Sequence, residues 1–464
     1  MTIRVMGLAA LGFCVAGAAL RTAAGQTYKP GEPGGSQAAT TLVVPGANPY
    51  GWAFPITQLD ERLPAWIRFG GQFRDRMEAS DHISYGTFQD GYDLTQMRFG
   101  LYLQPSKWFG VVAVTQDSRI FFNQHVAPKP PYQNTWDFRE AYARIGSATA
   151  GIADVVVGRQ MLSFGDERVI GPSDWSNMGR TFDVVRLDLH PKNITASILA
   201  ASVINAIDGH IDHHIEGNNL YGIYSSFRKV IPKAVLEPYV LWRVAPGNIA
   251  LAETAGHGAM SEWTVGAHAA GATTGSFDYD VEMNKQTGSL GHYDIDAWAG
   301  HWNVGRTFAG VAAAPRTFVE YNYATGNRNP ASNTWSTHDQ LYASAHDKME
   351  FADQFGWRNI QDLRAGVQEK LAKRWQLTEM VNNLWLATRN DAVYASSGAA
   401  AIAAHPNATS SHLGTELDLI AVFRQNPHMT YGAGYCKLVT GEYLKETTPG
   451  KDYLYPFAYA TYVF

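Results

Sequence analysis

The sequence predicts an all-β protein, a single transmembrane antiparallel β-barrel of about 18 strands with long extracellular loops and short periplasmic turns. Charged residues make up only 17% of the 464 residues and aromatic residues 12%, a balance that suits half-apolar strands better than amphipathic helices. Segments in which apolar and polar side chains alternate recur along the chain, as in barrels with lipid outside and water inside. After the first twenty residues, no apolar stretch reaches the ~18 residues of a membrane-spanning helix. These observations exclude a helical membrane protein and a disordered chain.

The amino terminus has the features of a cleaved secretory signal over residues 1–25. One early cation, Arg4, precedes an apolar run over residues 5–20, which is followed by the small residues 23–25. A retained membrane helix is the alternative, but the run is short and no basic cluster follows it. Removal of this segment would delete two cations and no acid, which changes the net charge from −5 to −7. The remaining chain would carry one cysteine, Cys436, so neither an intramolecular disulfide nor a Cys-rich zinc site is expected.

Residues 26–64 are rich in Pro, Gly, Ala and Thr and show no sustained period, so they are predicted to form a flexible segment. Alternation starts at residue 65, and residues 65–464 form the predicted barrel. For example, Met97, Phe99 and Leu101 share one face, and the residues between them are polar or small. A helix would mix the two faces, whereas a strand separates them.

Eighteen alternating segments are counted, and this even number is typical of outer-membrane barrels. They start near residues 65, 91, 108, 134, 152, 181, 194, 219, 234, 261, 276, 292, 315, 359, 374, 413, 428 and 453. Connections after even-numbered segments are tight, apart from a longer one over residues 303–314. Those after odd-numbered segments are long and include residues 163–180, 205–219, 326–358 and 388–412. This pattern indicates short periplasmic turns on one side and long outer loops on the other.

The most distinctive motif lies in residues 158–183 and has two parts. The first is Gly158-Arg159-Gln160-Met161-Leu162-Ser163-Phe164-Gly165-Asp166-Glu167-Arg168-Val169. The second is Gly171-Pro172-Ser173-Asp174-Trp175-Ser176-Asn177-Met178-Gly179-Arg180-Thr181-Phe182-Asp183. With residues 117–119 and 137–142 upstream, the motif resembles the alginate-export family of outer-membrane porins. The resemblance implies an 18-stranded barrel in the bacterial outer membrane, with an electropositive lumen that passes an anionic polysaccharide. It leaves open whether the substrate of this chain is alginate.

From the residues alone, the motif is predicted to be a loop folded into the pore mouth, with turns at its glycines and a charge network that holds it. The residues assigned to this loop are Arg159, Asp166, Glu167, Arg168, Asp174, Trp175, Asn177 and Arg180. The alternative is that these charges only brace the barrel. A hydrolytic site at Asp166 and Glu167 is disfavoured, because adjacent residues of an extended strand point to opposite faces. No catalytic residues are therefore assigned.

Anion selectivity is predicted from the polar faces of the strands. If each polar face lines the lumen, the cations there are Arg68, Arg74, Arg76, Arg98, Arg119, Arg144, Arg186, Arg243, Arg316, Arg364, Lys370, Arg374, Arg424 and Lys437. The same rule places Asp117, Glu140, Asp188, Glu237, Glu320, Asp362, Glu416 and Asp418 inside. The excess of about six positive charges would lower the barrier for anions, and guanidinium groups suit carboxylates. The alternative is that the arginines pair with acids and only shape the bore.

A cluster of histidines and acids lies in residues 208–216, in a predicted outer loop. His210, His213 and His214 are candidate ligands for a divalent metal ion. Polar outer loops also collect such residues without any ligand, so no metal is assigned.

The combined expectation is an outer-membrane porin for passive export or diffusion of anionic polysaccharide, such as an alginate-like polyuronate, or of related anionic saccharides. A general or small-anion diffusion porin is the alternative, and an outer-membrane enzyme acting on lipid or polysaccharide is a further one. No cofactor is expected. The expected partners are the anionic polysaccharide, outer-membrane lipid, the barrel assembly machinery and, as a further candidate, periplasmic secretion components. Nucleic acid is not expected, because no basic stripe is present.

Overall fold

The computed structural model describes residues 62–147, 150–246, 258–273, 275–372, 374–426 and 428–464. The predicted signal over residues 1–25 and nearly all of the segment over 26–64 lie outside these residues. Within them, the chain forms a closed antiparallel barrel of 18 strands, as predicted. None of the described helices has the length and apolar character of a membrane span.

The elements follow one another in this order: β1 (Ile67–Ile83), β2 (Phe88–Ser106), β3 (Phe109–Phe121), β4 (Asn134–Gly146), β5 (Ala153–Gln160), β6 (Phe182–Leu189), β7 (Ile194–Asn205), β8 (His213–Arg228), β9 (Ala234–Ala245), β10 (Met260–Ala272), β11 (Phe277–Leu290), β12 (Tyr293–Thr307), β13 (Arg316–Ala324), β14 (Thr334–Trp335), β15 (Ile360–Leu371), β16 (Trp375–Leu386), β17 (Val393–Tyr394), β18 (Ala400–Ile402), β19 (His412–Arg424), β20 (Met429–Thr440), α1 (Glu442–Thr447) and β21 (Tyr453–Val463). The short β14, β17, β18 and α1 lie in connections, and the other strands form the barrel. Each barrel strand pairs with its neighbour in the chain, and β1 also pairs with β21, which closes the ring.

The strand starts match the predicted ones within three residues except at β8, which starts at His213 rather than near residue 219. The connection before it is therefore shorter than predicted and covers residues 206–212. A second correction concerns the connection predicted over residues 303–314. Since β12 continues to Thr307, this turn covers only residues 308–315.

The two faces of the wall differ in exposure. On β1, Phe73 and Met77 point outward and are 42% and 49% exposed, whereas Arg74 and Arg76 are buried between them. Trp66, Trp108 and Trp375 are exposed at the end of the barrel that carries the short turns. Apolar outward residues with aromatic residues at a rim are typical of a lipid-facing surface.

Two long connections fold into the lumen and give the barrel a hydrophobic core of its own. We name residues 161–181 inner loop A and residues 325–359 inner loop B. Their buried apolar side chains pack against inward-facing apolar residues of the wall in one cluster. Members from the loops include Leu162, Phe164, Ile170, Tyr342, Phe355 and Trp357, and members from the wall include Phe182, Leu220, Tyr239, Tyr455 and Phe457. Apolar residues therefore line part of the inside of this barrel.

Candidate functional site: the loop-filled lumen

Two cavities of the lumen, lined by described residues, meet at the inner loops. The first, of about 440 Å³, lies toward the long connections and is lined by residues such as Tyr132 and Ser397. The second, of about 400 Å³, extends toward the short turns and is lined by residues such as Gln368. Trp175 of inner loop A and His346 of inner loop B line both cavities. These two side chains therefore form the constriction between the cavities.

Trp175 is held on both faces of its indole ring. The ring stacks on the imidazole of His346 with centroids 4.0 Å apart, and the guanidinium carbon of Arg76 lies 4.0 Å from the ring centroid. Phe457 packs edge-on at 4.9 Å. Stacking and cation–π contacts of this kind each contribute about 0.5–1.5 kcal/mol. The wall residue Arg76 and both inner loops thus fix the position of the ring.

The other side chain of the constriction, the imidazole of His346, is uncharged. Burial lowers the pKa of His346 to about 3, and its Nδ1 lies 2.8 Å from Oδ2 of Asp353. Burial raises the pKa of Asp353 well above its usual range. The imidazole that faces Trp175 is therefore uncharged at neutral pH and does not repel the guanidinium of Arg76 behind the indole ring.

Asp174 is the main charged anchor of inner loop A. Its carboxylate accepts hydrogen bonds from Arg98 at 2.7 and 3.1 Å and from Arg139 at 2.9 Å. Burial alone would raise the pKa of Asp174, yet the two guanidinium groups hold this pKa well below its usual range. The loop is thus tied to β2 and β4 by charge-assisted hydrogen bonds, which are about twice as strong as neutral ones.

Further contacts from the wall hold the loop backbone. Arg74 donates to the carbonyl oxygens of Asp174, Trp175 and Ser176 at 2.8 to 3.2 Å. Nδ2 of Asn177 donates to three wall and loop carbonyls at 2.8 to 3.2 Å. Because each donor reaches several acceptors, the segment around the constriction has little freedom to shift.

The two inner loops also bind each other. The amide of Gly171 donates to the carbonyl of Tyr342 at 2.9 Å, and the amide of Tyr342 donates to that of Val169 at 3.0 Å. Arg180 donates to the carbonyls of Tyr342 and Ala343, and burial lowers the pKa of Arg180 to about 10. The loops are thus positioned as one unit.

Asp166 and Glu167 have different partners. Asp166 binds Arg168 at 2.8 Å, and Arg168 also reaches Glu320 of β13 at 3.0 Å. Glu167 instead accepts a hydrogen bond from Ser163 at 2.7 Å. The motif residues Arg168, Asp174, Trp175, Asn177 and Arg180 therefore contact the wall or inner loop B, whereas the side chains of Asp166 and Glu167 bond within their own loop.

Arg159 does not join inner loop A. It lies on β5 with the outward parity, and its guanidinium pairs with Asp183 at 3.0 Å and Asp137 at 3.3 Å. His214 lies 3.5 Å from Asp183 on the same surface. His213 and His214 belong to β8 rather than to a loop, and with His210 they are exposed. Among the described residues, the groupings that could hold a metal ion lie elsewhere and include none of these three histidines.

Most of the predicted lumen cations share the inward face. Those buried in the wall are Arg74, Arg76, Arg98, Arg186, Arg243 and Arg364. Arg68, Arg144, Arg316, Lys370 and Arg424 have the same inward parity in their strands but are more accessible, and Arg374 lies in the turn between β15 and β16.

The prediction that Arg119 and Lys437 lie in the lumen is wrong. Ser118 and Ile120 are buried on either side of Arg119, and Cys436 and Leu438 on either side of Lys437. Both cations therefore lie on the outer face. Arg119 binds Asp117 there at 2.6 Å. The polarity rule fails at these positions because strands near a rim carry polar residues outside as well.

The predicted excess of six positive charges does not hold, because the polarity rule missed many inward acids. Asp278, Asp280 and Glu282 alternate along β11 and are all buried. Their period of two was visible in the sequence. The other buried wall acids missed are Glu78, Asp90, Asp137, Asp154 and Glu262, and the buried cation Arg139 was missed as well.

Many wall arginines are paired with acids, as the bracing alternative proposed. Arg186 binds Asp188 at 2.9 Å, Arg316 binds Asp278 at 2.5 Å, and Arg243 binds Asp339 of inner loop B. Such pairs shape the bore and hold the loops. Their charges are largely compensated, so they contribute little to selectivity by themselves.

Comparison with known proteins identifies the family. Residues 65–453 match the sequence profile described as alginate export. The chain belongs to the alginate export family. No curated protein sequence matches the chain.

Similar folds occur among solved structures from Pseudomonas aeruginosa. OccK1 (OpdK) superposes with a TM-score of 0.58 at 9% identity, covering 86% of this chain and 98% of that one. OccD3 (OpdP) gives 0.55 at 11% identity, with 85% and 91% covered. Likeness at this identity shows the fold alone. With the family, it establishes this member of the alginate export family as an outer-membrane β-barrel porin.

Proposed function

We propose that this member of the alginate export family passes anionic saccharides, polyuronate chains or their fragments, from the end of the lumen that carries the short turns. We name this end the periplasmic mouth. The barrel supplies no energy, so flux follows a gradient or delivery by periplasmic components. The proposal rests on the family and on the distribution of uncompensated charge at this mouth.

Uncompensated cations surround the periplasmic mouth. They are Arg68, Arg228, Lys370 and Arg424, which have the inward parity at the ends of β1, β8, β15 and β19. Within the described part of the chain, none of the four forms an ion pair with a carboxylate. The acids at this end are already bound, for example Asp154 by Arg144 at 3.4 Å. A ring of uncompensated cations at a pore mouth raises the local concentration of anions and lowers their barrier.

Above the mouth, the second cavity has a mixed lining that suits an acidic sugar. Arg168, Arg316, Arg364 and Lys348 face acids across it. A saccharide hydroxyl both donates and accepts hydrogen bonds, so cations and carboxylates can both bind it. The aromatic rings of Trp175, Phe351, Phe457 and Tyr459 in the same lining provide apolar surface for the C–H face of a sugar ring.

A small-anion porin is the second candidate, favoured by the constriction. Cavities of about 440 and 400 Å³, joined past Trp175 and His346, are at the low end of the range for small-molecule sites. A polymer would require the inner loops to move, whereas a monomeric or dimeric uronate would fit in either cavity. OpdK, one of the similar folds, was crystallised with vanillate, which is a small aromatic carboxylate.

The test is single-channel recording of the refolded protein in a salt gradient, with uronates of increasing length added at the periplasmic mouth. Anion selectivity with block that strengthens beyond the dimer supports passage of polyuronate. Block complete with the monomer or dimer supports the small-anion porin. Weak selectivity without block contradicts both proposals and leaves a general porin.

A matched pair of variants locates the selectivity. Lys370→Gln with Arg424→Gln removes two mouth cations, and we expect the anion over cation permeability ratio to fall toward one. Lys285→Gln removes a cation from the outer face, where Lys285 is exposed and paired with Asp296, and should leave the ratio unchanged. Equal effects of both changes would contradict a role for the mouth.

A further inference from the structure

The strongest unassigned feature of the lumen is a buried group of acids around the only described cysteine. Glu416 and Asp418 lie on β19 and Cys436 on β20, and all three are 5% exposed or less. Asp418 and Cys436 are opposite each other in the register of the two strands. One ligand atom from each of the three lies within 4.8 Å of the other two.

A fourth acid comes from inner loop B. Glu350 is 1% exposed, and its carboxyl group lies against that of Glu416. The backbone amides of Phe351 and Ala352 donate to Glu416 at 3.1 and 3.2 Å. Inner loop B is therefore docked on the wall at this group of side chains.

Each carboxyl group has one oxygen fixed by an amide donor and otherwise faces the other acids or the thiol. Asn382 donates to Oδ2 of Asp418 at 2.8 Å, and the amide of Phe355 donates to Oε1 of Glu350 at 2.8 Å. Oδ1 of Asp418, Oε2 of Glu416 and Oε2 of Glu350 receive no hydrogen bond from an N–H or hydroxyl group of the described residues. Buried carboxylate oxygens are normally satisfied, because an unpaired one costs several kcal/mol.

The charge of the group is also uncompensated. Among the described ion pairs, none includes Glu350, Glu416 or Asp418, whereas other buried acids such as Glu320 have arginine partners. Like charges in a low dielectric repel strongly. A divalent cation would supply the missing positive charge and occupy the free oxygens at once.

We propose that Glu416, Asp418 and Cys436 form a site for a zinc-type divalent metal ion, and that Glu350 completes it from inner loop B. The thiolate selects the class of metal: Ca²⁺ and Mg²⁺ bind oxygen ligands, whereas Zn²⁺ takes sulfur and carboxylate oxygen together in four-coordinate sites. Three ligands come from the wall and one from the loop, so the ion links inner loop B to the wall of the barrel. The site does not depend on the identity of the transported solute.

The test uses the full refolded chain with Cys14→Ser, so that Cys436 is the only thiol. The protein is loaded with Zn²⁺ or with Co²⁺, dialysed against metal-free buffer, and its metal content is measured. We expect one equivalent of metal, and a thiolate-to-Co²⁺ charge-transfer absorption. Retention of no metal, or of Co²⁺ without this absorption, would overturn the proposal and assign shared protons to the buried acids.

Variants separate the site from general folding, which heat-dependent gel mobility reports. Cys436→Ser should abolish the charge-transfer absorption. Glu350→Gln alters the loop and leaves the wall intact, so it should fold and bind the metal ion more weakly, because one of the four ligands loses its charge. Asp280→Asn is the control, since Asp280 belongs to a separate group with Asp166 and His301, and it should keep the signal. Unchanged affinity for the metal ion in Glu350→Gln would contradict the role of Glu350 as the ligand from inner loop B.

Discussion

The ring planes of Trp175 and His346 lie 5° from parallel, with their centroids 4.0 Å apart. The two residues belong to different inner loops, and their stack separates the two cavities of the lumen. Because Arg76 of the wall covers the other face of Trp175, the stack joins both loops to the barrel where the two cavities meet.

Replacement of Trp175 by Ala should open the constriction. The change removes a stacked pair and a cation–π contact, worth about 0.5–1.5 kcal/mol each, so the ratio of undocked to docked loop should rise about 5- to 150-fold. Single-channel recordings should show higher conductance and more frequent transitions between levels. Trp108→Ala, at an exposed position outside the lumen, is the control and should conduct like the unaltered protein. Unaltered conductance in both variants would contradict a constriction at Trp175.

Replacement of Asp174 by Asn should loosen inner loop A, because Arg98 and Arg139 lose their shared anion. Hydrogen bonds to charged groups contribute about 1.5–3 kcal/mol, so the docked loop should be destabilised by this order. Channel noise and protease cleavage within residues 161–181 should both increase. Asp296→Asn removes an exposed carboxylate on the outer face and should change neither. Equal sensitivity of the two variants would exclude the anchor.

Because Asp174 anchors inner loop A, we expect the docking of this loop to depend on pH. Docking lowers the pKa of Asp174 well below its ordinary value of 3.8, so its contribution is complete above about pH 4 and is lost as the pH falls through the docked value. Acidification below pH 4 should therefore increase cleavage of inner loop A in the unaltered protein. In Asp174→Asn this increase should be absent. A steep loss of docking near pH 6 would point to another group.

Replacement of Gly179 by Ala should displace inner loop A without any change of charge. Gly179 has a φ of +69°, and a Cβ there would lie 2.3 Å from the guanidinium of Arg139. Strain in this backbone region costs about 1–3 kcal/mol for a residue with a side chain, and the clash pushes Arg139 from Asp174. The conductance of this variant should resemble that of Asp174→Asn. Gly310→Ala, in an open turn with nothing within 4 Å, should be neutral.

We expect a pH effect of opposite sign on cleavage of the connection before β8, which contains Asp212. Burial and contact with Asp137 raise the pKa of Asp212 from 3.8 to about 7. Its contribution to stability is present below pH 4 and is lost as the pH rises through about 7. Cleavage of the connection over residues 206–212 should therefore be faster at pH 8 than at pH 5. Asp212→Asn should remove this difference and slow cleavage at pH 8 toward the rate at pH 5, because the amide stays uncharged at both pH values. Persistence of the difference in the variant would assign it to another group.

The strand count could be predicted from the sequence because period-two alternation and turn residues are local signals. The starts of β4, β7 and β9 were predicted at the observed residue. The start of β8 was missed, because Gly209 and the polar residues after it indicate a loop, although His213 already pairs with Asn205 across the strands.

The faces were harder to predict, because polarity does not separate lumen from lipid in this barrel. Inner loops A and B bury apolar wall residues such as Leu220 and Phe457 on the inside, so an apolar face is not always a lipid-facing one. Arg119 and Asp117 pair on the outside, so a polar face is not always a lumen face. Contacts between distant segments decide these positions, and no local pattern encodes them.

The role of the arginines in the lumen was predicted only in part. Asp174, Trp175 and Arg180 were expected in a loop held by charge, and their contacts are those of such a loop. The sequence offered no way to see that Arg74, Arg98 and Arg139 hold this loop, because about 35 to 100 residues separate them from Asp174. Arg74 and Arg98 were expected to act on anions in transit, and the structure shows that they anchor the loop instead.

The hydrophobic cluster inside the barrel has a consequence for how the chain is assembled. Its members extend from Tyr85 to Phe457, and the ring closes only when β1 meets β21. Contacts of such long sequence separation form slowly, and an unfinished chain exposes both strand edges and apolar loop surface to aggregation. This barrel should therefore need a periplasmic holding chaperone for longer than a barrel of equal size with a water-filled interior, and a pulse-chase measurement of its maturation would record the delay.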